Sequence, residues 1–394
     1  MKDLKQIRAD TPGIGARIHL LAAGSALMPQ SVVDAVIDHT LLEARLGGYE
    51  AHAARFDALE AIYGDVATLL NAAPHEIALM DNATAAWTAV FYALSLGPGD
   101  VILTAQAEYA SNYLAFLHRA KRDGVTIKVI PSDPTGAVDP AALEAMLDDR
   151  VKLIAVTWVP TNGGMVNPAA AIGAVAARHN VPYLLDACQA VGQMPVDVRA
   201  LRCDFLSATG RKFLRGPRGT GFLYVAEKWL SGPDQLEPAM IDLYSANWTS
   251  RDSYRLRDDA RRFENWENAY ALRAGLGAAV RLANRIGLAE IQERAWGLAS
   301  SLRQQLAALP GVTLRDGGRQ QAAIVSFTVE GVAPESLSDR LAAQGIVIGT
   351  STPASTLIDA KARALPTVLR AAPHYYNTTA EITALVAAID ALTS

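Results

Sequence analysis

Tyr183-Leu184-Leu185-Asp186-Ala187-Cys188-Gln189 places an acid at the end of an apolar run. Further on, Ser207-Ala208-Thr209-Gly210-Arg211-Lys212-Phe213-Leu214-Arg215-Gly216-Pro217 places a lysine after a small-residue turn that follows another apolar run. Short apolar runs bounded by turn residues read as buried strands. In an open parallel sheet, ligands sit beyond the carboxyl ends of the strands, so both groups would face one crevice. A lysine amine forms a Schiff base with an aldehyde cofactor. A carboxylate facing a pyridine nitrogen keeps that nitrogen protonated, and the ring then acts as an electron sink. Lys212 suits the first role and Asp186 the second, which together point to pyridoxal 5′-phosphate. The competing reading is an ordinary surface ion pair or two unrelated charges. The Gly-Arg-Lys turn and the Arg-Gly-Pro-Arg-Gly that follows weigh against it.

Outward from this pair, strands are expected at Val101–Thr104, Ile127–Ile130, Leu153–Val159, Tyr183–Asp186, Phe205–Ser207 and Thr220–Val225. Helical patterns lie between several of them, at Ala141–Leu147 behind Pro140 and at Pro168–Arg178. Strand, helix and strand at this spacing imply parallel pairing with crossover helices. Residues 25–262 therefore read as a large α/β domain with a mostly parallel central sheet. Residues 263–394 read as a smaller α+β domain, and residues 1–24 as a segment packing with it. That smaller part opens with a helical stretch, Asn268–Leu309, stopped by Pro310-Gly311. Strands at Val312–Leu314, Ala323–Val329, Ile346–Ile348 and Val368–Arg370 follow, with helices at Pro334–Gln344 and Thr379–Leu392. The Ser/Thr-rich stretch Gly349–Leu357 reads as a loop on the rim of a site between domains.

Bulk properties narrow the function. The 394 residues are 51% hydrophobic and 19% charged, enough for a sizeable core. The net charge of −4, with no basic patch, speaks against a nucleic-acid partner. No apolar run approaches the roughly 20 residues of a membrane span, and the N-terminus has no apolar segment of a secretory signal. The two cysteines, Cys188 and Cys203, lack metal-ligand spacing, so no metal and a reduced, cytoplasmic setting are expected.

Other stretches fit the same site. Asp81-Asn82-Ala83-Thr84 is an Asn/Thr-rich turn that opens a helix, where exposed N–H groups attract phosphate. A plain helix cap from Asp81 or Asn82 is the alternative. Tyr109 could offer an aromatic face or pack in a core. Thr161-Asn162-Gly163-Gly164 follows a central strand and also suits a simple turn.

These motifs, in this order from about residue 18 to the end, resemble the class V aminotransferase family of fold-type I pyridoxal-phosphate enzymes. That group includes cysteine desulfurases, selenocysteine lyases, isopenicillin N epimerase and the C–S lyase of ergothioneine biosynthesis. The resemblance implies Lys212 as the Schiff-base lysine, Asp186 at the pyridine nitrogen and Gln189 at the phenolic oxygen. It implies Thr209, Arg211 (where many relatives have histidine), Ala83 and Thr84 at the phosphate. Tyr109 stands where cysteine desulfurases stack a histidine on the ring. Thr161 and Asn162 match, within one residue of register, a Ser-Asn pair that touches cofactor or substrate. Arg370, in Leu369-Arg370-Ala371-Ala372-Pro373-His374-Tyr375-Tyr376-Asn377-Thr378, matches the arginine that clamps the substrate α-carboxylate. Gly24 and Tyr49 fall in segments that line the substrate pocket of relatives, although Tyr49 reads equally well as packing.

One departure shapes the expected reaction. Cysteine desulfurases take sulfur as a persulfide on a mobile-loop cysteine, and the corresponding loop here, Gly349–Leu357, contains none. The expectation is therefore β-elimination on a cysteine-derived substrate, as in a C–S lyase, with Lys212 as proton carrier. An epimerase, a racemase or an aminotransferase is the alternative within the family, and a non-catalytic binding protein the alternative outside it. The resemblance also implies a homodimer. Arg261-Arg262-Phe263-Glu264-Asn265-Trp266-Glu267-Asn268, where relatives reach the partner's phosphate, departs from their Gly-Thr-Pro pattern.

Overall fold

Seven short strands form the central sheet of the computed structural model, which describes residues 3–393. Their order is Ile77–Met80, Gly221–Val225, Phe205–Thr209, Tyr183–Asp186, Val151–Thr157, Val101–Thr104, Thr126–Val129. Gly221–Val225 runs antiparallel to both neighbours, and every other pairing is parallel. The chain between Thr209 and Gly221 is shorter than the roughly dozen residues a parallel return needs, so this strand turns straight back.

Tyr183–Asp186 and Phe205–Thr209 are buried along their whole length, as central strands of a sheet covered on both faces must be. One face packs against Trp87, Phe91 and Phe116 of the helices Ala83–Ala93 and Ala110–Asp123. The other face belongs to a larger core that includes Ile62 and Val66 of Phe56–Leu70, Ile172 of Ala169–Arg178 and Leu276 of Tyr270–Ile286. Each such large apolar side chain contributes roughly 1.5–3 kcal/mol on burial.

The C-terminal part carries an antiparallel sheet in the order Val312–Leu314, Val325–Val329, Val368–Ala371, Gly349–Ser351. The helices Leu288–Ala307 and Pro334–Ala343 pack against it, and Thr379–Thr393 packs on both of them. Near the N-terminus, Ile18–His19 pairs in parallel with Ile346–Val347. Among the described residues no helix is long and apolar enough to cross a membrane.

Three expectations change. The single helical stretch Asn268–Leu309 is two helices, Tyr270–Ile286 and Leu288–Ala307, broken at Gly287, whose φ of 91° a helix interior does not allow. The strand Ile77–Met80 had not been anticipated. Gly349–Leu357 is not simply a loop: Gly349–Ser351 joins the C-terminal sheet and Pro353–Thr356 forms a short 3-10 turn. The backbone of Gly349–Ser351 pairs with Val368–Arg370, a long-range partner that local composition does not reveal.

Candidate active site

Because only Gly221–Val225 is reversed, the strands ending at Met80, Thr104, Thr157, Asp186 and Thr209 all point their carboxyl ends the same way. An open cleft lies beyond them, where ligands of parallel sheets bind. Lys212, Asp186, Cys188, Gln189, Thr209, Arg211 and Val159 line it. Asn82, Ala83, Thr84, Tyr109, Thr157 and Thr161 complete the wall.

One corner of the cleft is built on a helix start. The Asn82 side chain accepts from the Ala85 N–H at 2.9 Å and caps Ala83–Ala93. The first N–H groups of a helix have no acceptor within it, so those of Ala83 and Thr84 are available to an anion. Gly221 lets this end lie against the sheet. A Cβ there would stand 2.6 Å from the Ala208 carbonyl oxygen and 2.9 Å from the Asn82 carbonyl carbon. Arg211 donates to the Gly24 carbonyl and makes no ion pair among the described residues.

Asp186 is buried at its strand end. One oxygen accepts from Asn112 Nδ2 at 3.0 Å and the other from the Cys188 N–H at 2.9 Å. Lys212 is part-exposed in the cleft. Desolvation lowers its ammonium from the ordinary lysine value, Cys188 and Asp186 oppose this, and Arg211 and Arg370 reinforce it. Cys188 also lines the cleft, and burial pushes its thiol well up, with Asp186 adding to the effect.

Gln189 donates from Nε2 to the Ala23 carbonyl at 3.2 Å, and its Oε1 is buried without a partner among the described residues. Arg370 is buried and donates to Thr161, its Nε has no partner, and it too makes no ion pair among the described residues. Burial, reinforced by Arg211, holds its guanidinium down to about 10. A buried guanidinium without a carboxylate costs free energy until an anion arrives.

The donor set thus fits pyridoxal phosphate bound with an amino acid. It has a desolvated amine and a fixed carboxylate, a helix start with one unpaired arginine, and a second unpaired arginine at the edge. Thr209, Arg211, Ala83 and Thr84 would hold the phosphate, and Asp186 the ring nitrogen.

The family model described as aminotransferase class V matches residues 18–385. The chain belongs to the class V aminotransferase family. This family member is similar to a "probable cysteine desulfurase" of Methanothermobacter thermautotrophicus, at 30% identity over 384 residues, 96% of this chain and 95% of that protein. It superposes on the cysteine desulfurase of Thermococcus onnurineus NA1 with a TM-score of 0.88 at 27% identity, covering 99% and 98% of the two chains. A cystine C–S lyase in complex with its reaction product cysteine persulfide superposes with a TM-score of 0.86 at 26% identity, covering 96% and 99%. The protein is thus a pyridoxal-phosphate-dependent enzyme with the α/β fold of fold-type I.

Four residues named from the sequence do not line the cleft: Gly24 and Arg370 touch the lining residues Arg211 and Thr161, and Asn162 and Tyr49 stand apart. Asn162 turns away, donating from Nδ2 to Asp359 at 2.8 Å. Tyr49 is 78% exposed and borders a separate cavity with His52, Tyr63 and Trp266. The sequence reading assigned no role to Glu108, Asn112 or Thr157, which connect the cleft's walls. The one local signal was the spacing of Glu108 and Asn112, a helical i,i+4 pair at the start of Ala110–Asp123.

Proposed function

We propose that this enzyme breaks the Cβ–S bond of a cysteine-derived amino acid by β-elimination, without a persulfide-bearing cysteine of its own. One observation carries the reading: the amine and the thiol that share this cleft are both held neutral by burial, which leaves the amine basic and the thiol unreactive. Desolvation favours the neutral, basic form of Lys212 and the protonated, unreactive form of Cys188. Cys203 is buried in the core, away from the cleft lining.

In this reading Arg370 holds the substrate carboxylate by two parallel bonds. Gln189 would meet the phenolic side of the ring, Thr161 would touch cofactor or substrate, and Tyr109 would cover a face of the site. When bound, pyridoxal phosphate supplies an electron-poor ring that takes up the charge left at the α-carbon. Lys212 Nζ removes the α-proton. The β-carbon–sulfur bond then breaks with its electron pair leaving on sulfur, which takes up a proton and departs as thiol or persulfide, and water hydrolyses the released aminoacrylate to pyruvate and ammonia. The relatives named for cysteine desulfurisation and cystine C–S cleavage support a sulfur-containing substrate. We further take the working unit to be a homodimer, in keeping with the exposed Trp248, Met240 and Tyr49, and sedimentation would measure it.

The test is to incubate the loaded enzyme with cystine, S-substituted cysteines and their sulfoxides. Pyruvate and ammonia in equal amounts are expected. Inversion at the α-carbon without pyruvate, or conversion of the cofactor to its amine form, would overturn elimination in favour of epimerisation or transamination.

A further inference from the structure

Glu108 lies between the strand Val101–Thr104 and the helix Ala110–Asp123, 3% exposed. It makes no ion pair among the described residues. Its carboxylate instead collects hydrogen bonds. Oε2 accepts from the Thr104 hydroxyl at 3.1 Å and the Thr157 N–H at 3.0 Å. Oε1 accepts from the Tyr109 N–H at 2.9 Å, from Asn112 Nδ2 at 2.9 Å and from the Thr157 hydroxyl. The same Asn112 nitrogen that reaches Glu108 also reaches Asp186. Two buried carboxylates thus share one amide nitrogen, and Glu108 has no cationic hydrogen-bond partner among the described residues.

We propose that Glu108 is a positioning residue for the cofactor site, fixing Asp186 through Asn112 and Tyr109 through its backbone N–H. One side chain then sets two walls of the cleft. The inference rests on the proposed role of Asp186 at the ring nitrogen. Two adjacent buried acids need a positive charge, and a protonated pyridine nitrogen at Asp186 would supply it. Burial, with Asp186 adding to it and the hydrogen bonds from Thr157 and Asn112 opposing it, raises Glu108 to about 7. The ionisable groups coupled to it are Asp186 and the phenol of Tyr183.

The experiment compares Glu108→Ala, Glu108→Gln and Asp186→Asn as purified holoenzymes. It reads the dissociation constant of pyridoxal phosphate, the pH midpoint of the cofactor's visible band, and the melting temperature of the cofactor-free protein. E108A should weaken cofactor binding ~10-fold or more, as expected for losing hydrogen bonds to a charged acceptor, and should move the midpoint. E108Q keeps an acceptor at the Oε1 position, so its affinity should return to within ~3-fold of wild type while the midpoint stays displaced for want of the charge. A merely structural acceptor would lower the melting temperature and leave the midpoint unmoved, and that result overturns the proposal. If E108A does not fold, a wild-type midpoint in E108Q overturns it equally. D186N separates the two readings. Wild-type affinity and spectrum in D186N would show that the role given to Asp186 is wrong, whereas altered D186N with unaltered Glu108 variants would sink the Glu108 inference alone.

Discussion

Arg370 Nη1 lies 2.6 Å from the carbonyl oxygen of Thr161 and 2.7 Å from its hydroxyl. This double contact holds the guanidinium at the edge of the cleft while its Nε remains buried without a partner. The contact joins the C-terminal sheet, through the strand Val368–Ala371, to the loop after the central strand Val151–Thr157. A substrate carboxylate would complete the set of acceptors.

Replacing Arg370 with lysine keeps the charge and loses the two-pronged geometry. The expected result in steady-state kinetics is a fall in kcat/KM of ~10²-fold, mostly through KM, because one of two charge-assisted bonds to the carboxylate is lost. Thr161→Ala should cost less, ~10-fold, since it removes one neutral acceptor and leaves the carbonyl. Equal losses would mean that Arg370 serves only to hold Thr161.

The proposal that no thiol of this chain carries sulfur is open to mass spectrometry. Enzyme quenched during turnover with cystine should carry no added sulfur on Cys188 or Cys203. A persulfide trapped on Cys188 would contradict the elimination mechanism and favour sulfur relay.

Gly221→Ala tests the phosphate corner. The added methyl group would meet the Ala208 carbonyl and the Asn82 backbone, and neither is a flexible side-chain end that could give way. The start of Ala83–Ala93 should shift, and cofactor affinity measured by equilibrium dialysis should fall ~10-fold or more as aligned N–H groups are lost. Wild-type affinity would remove this helix from the phosphate site.

His374 Nε2 contacts the Phe213 carbonyl at 2.6 Å, next to Lys212 in sequence. Burial, helped by Arg215, lowers it from 6.5 to about 3. The unfolded chain therefore binds a proton that the folded chain refuses between those two values. Stability from the neutral ring is present above about pH 6.5 and is lost as pH falls, at up to about 1.4 kcal/mol per pH unit. Glu108 acts in the opposite sense. Its value of about 7 lies above the ordinary 4.5, so its contribution is present at low pH and lost as pH rises through that window. His374→Gln should flatten the acid limb of denaturant-measured stability by about one proton's slope. An unchanged slope would contradict the buried, neutral assignment.

Much of this was legible in the chain. Asp186 and Lys212 end or follow apolar runs long enough to read as buried strands, and that pairing survives any error in the boundaries. Gly287 shows the limit: a helical composition on both sides conceals a break that only backbone geometry reveals. Ile77–Met80 is four residues with no alternation, and it becomes a strand only through Gly221–Val225. Asn162 satisfies its amide on Asp359, a partner far along the chain that local reading cannot supply. Glu108 was visible as a letter beside Tyr109, yet its meaning lies in Asn112, Thr157 and Asp186 together, and it is a property of the folded chain.

The claim most directly exposed to experiment is that Lys212 carries the cofactor. Borohydride should be added to the yellow holoenzyme, which is then digested and mapped by mass. The reading requires one phosphopyridoxyl group on the peptide containing Lys212, and none in Lys212→Ala. Label on another lysine, or a wild-type protein that takes up no pyridoxal phosphate, would contradict it.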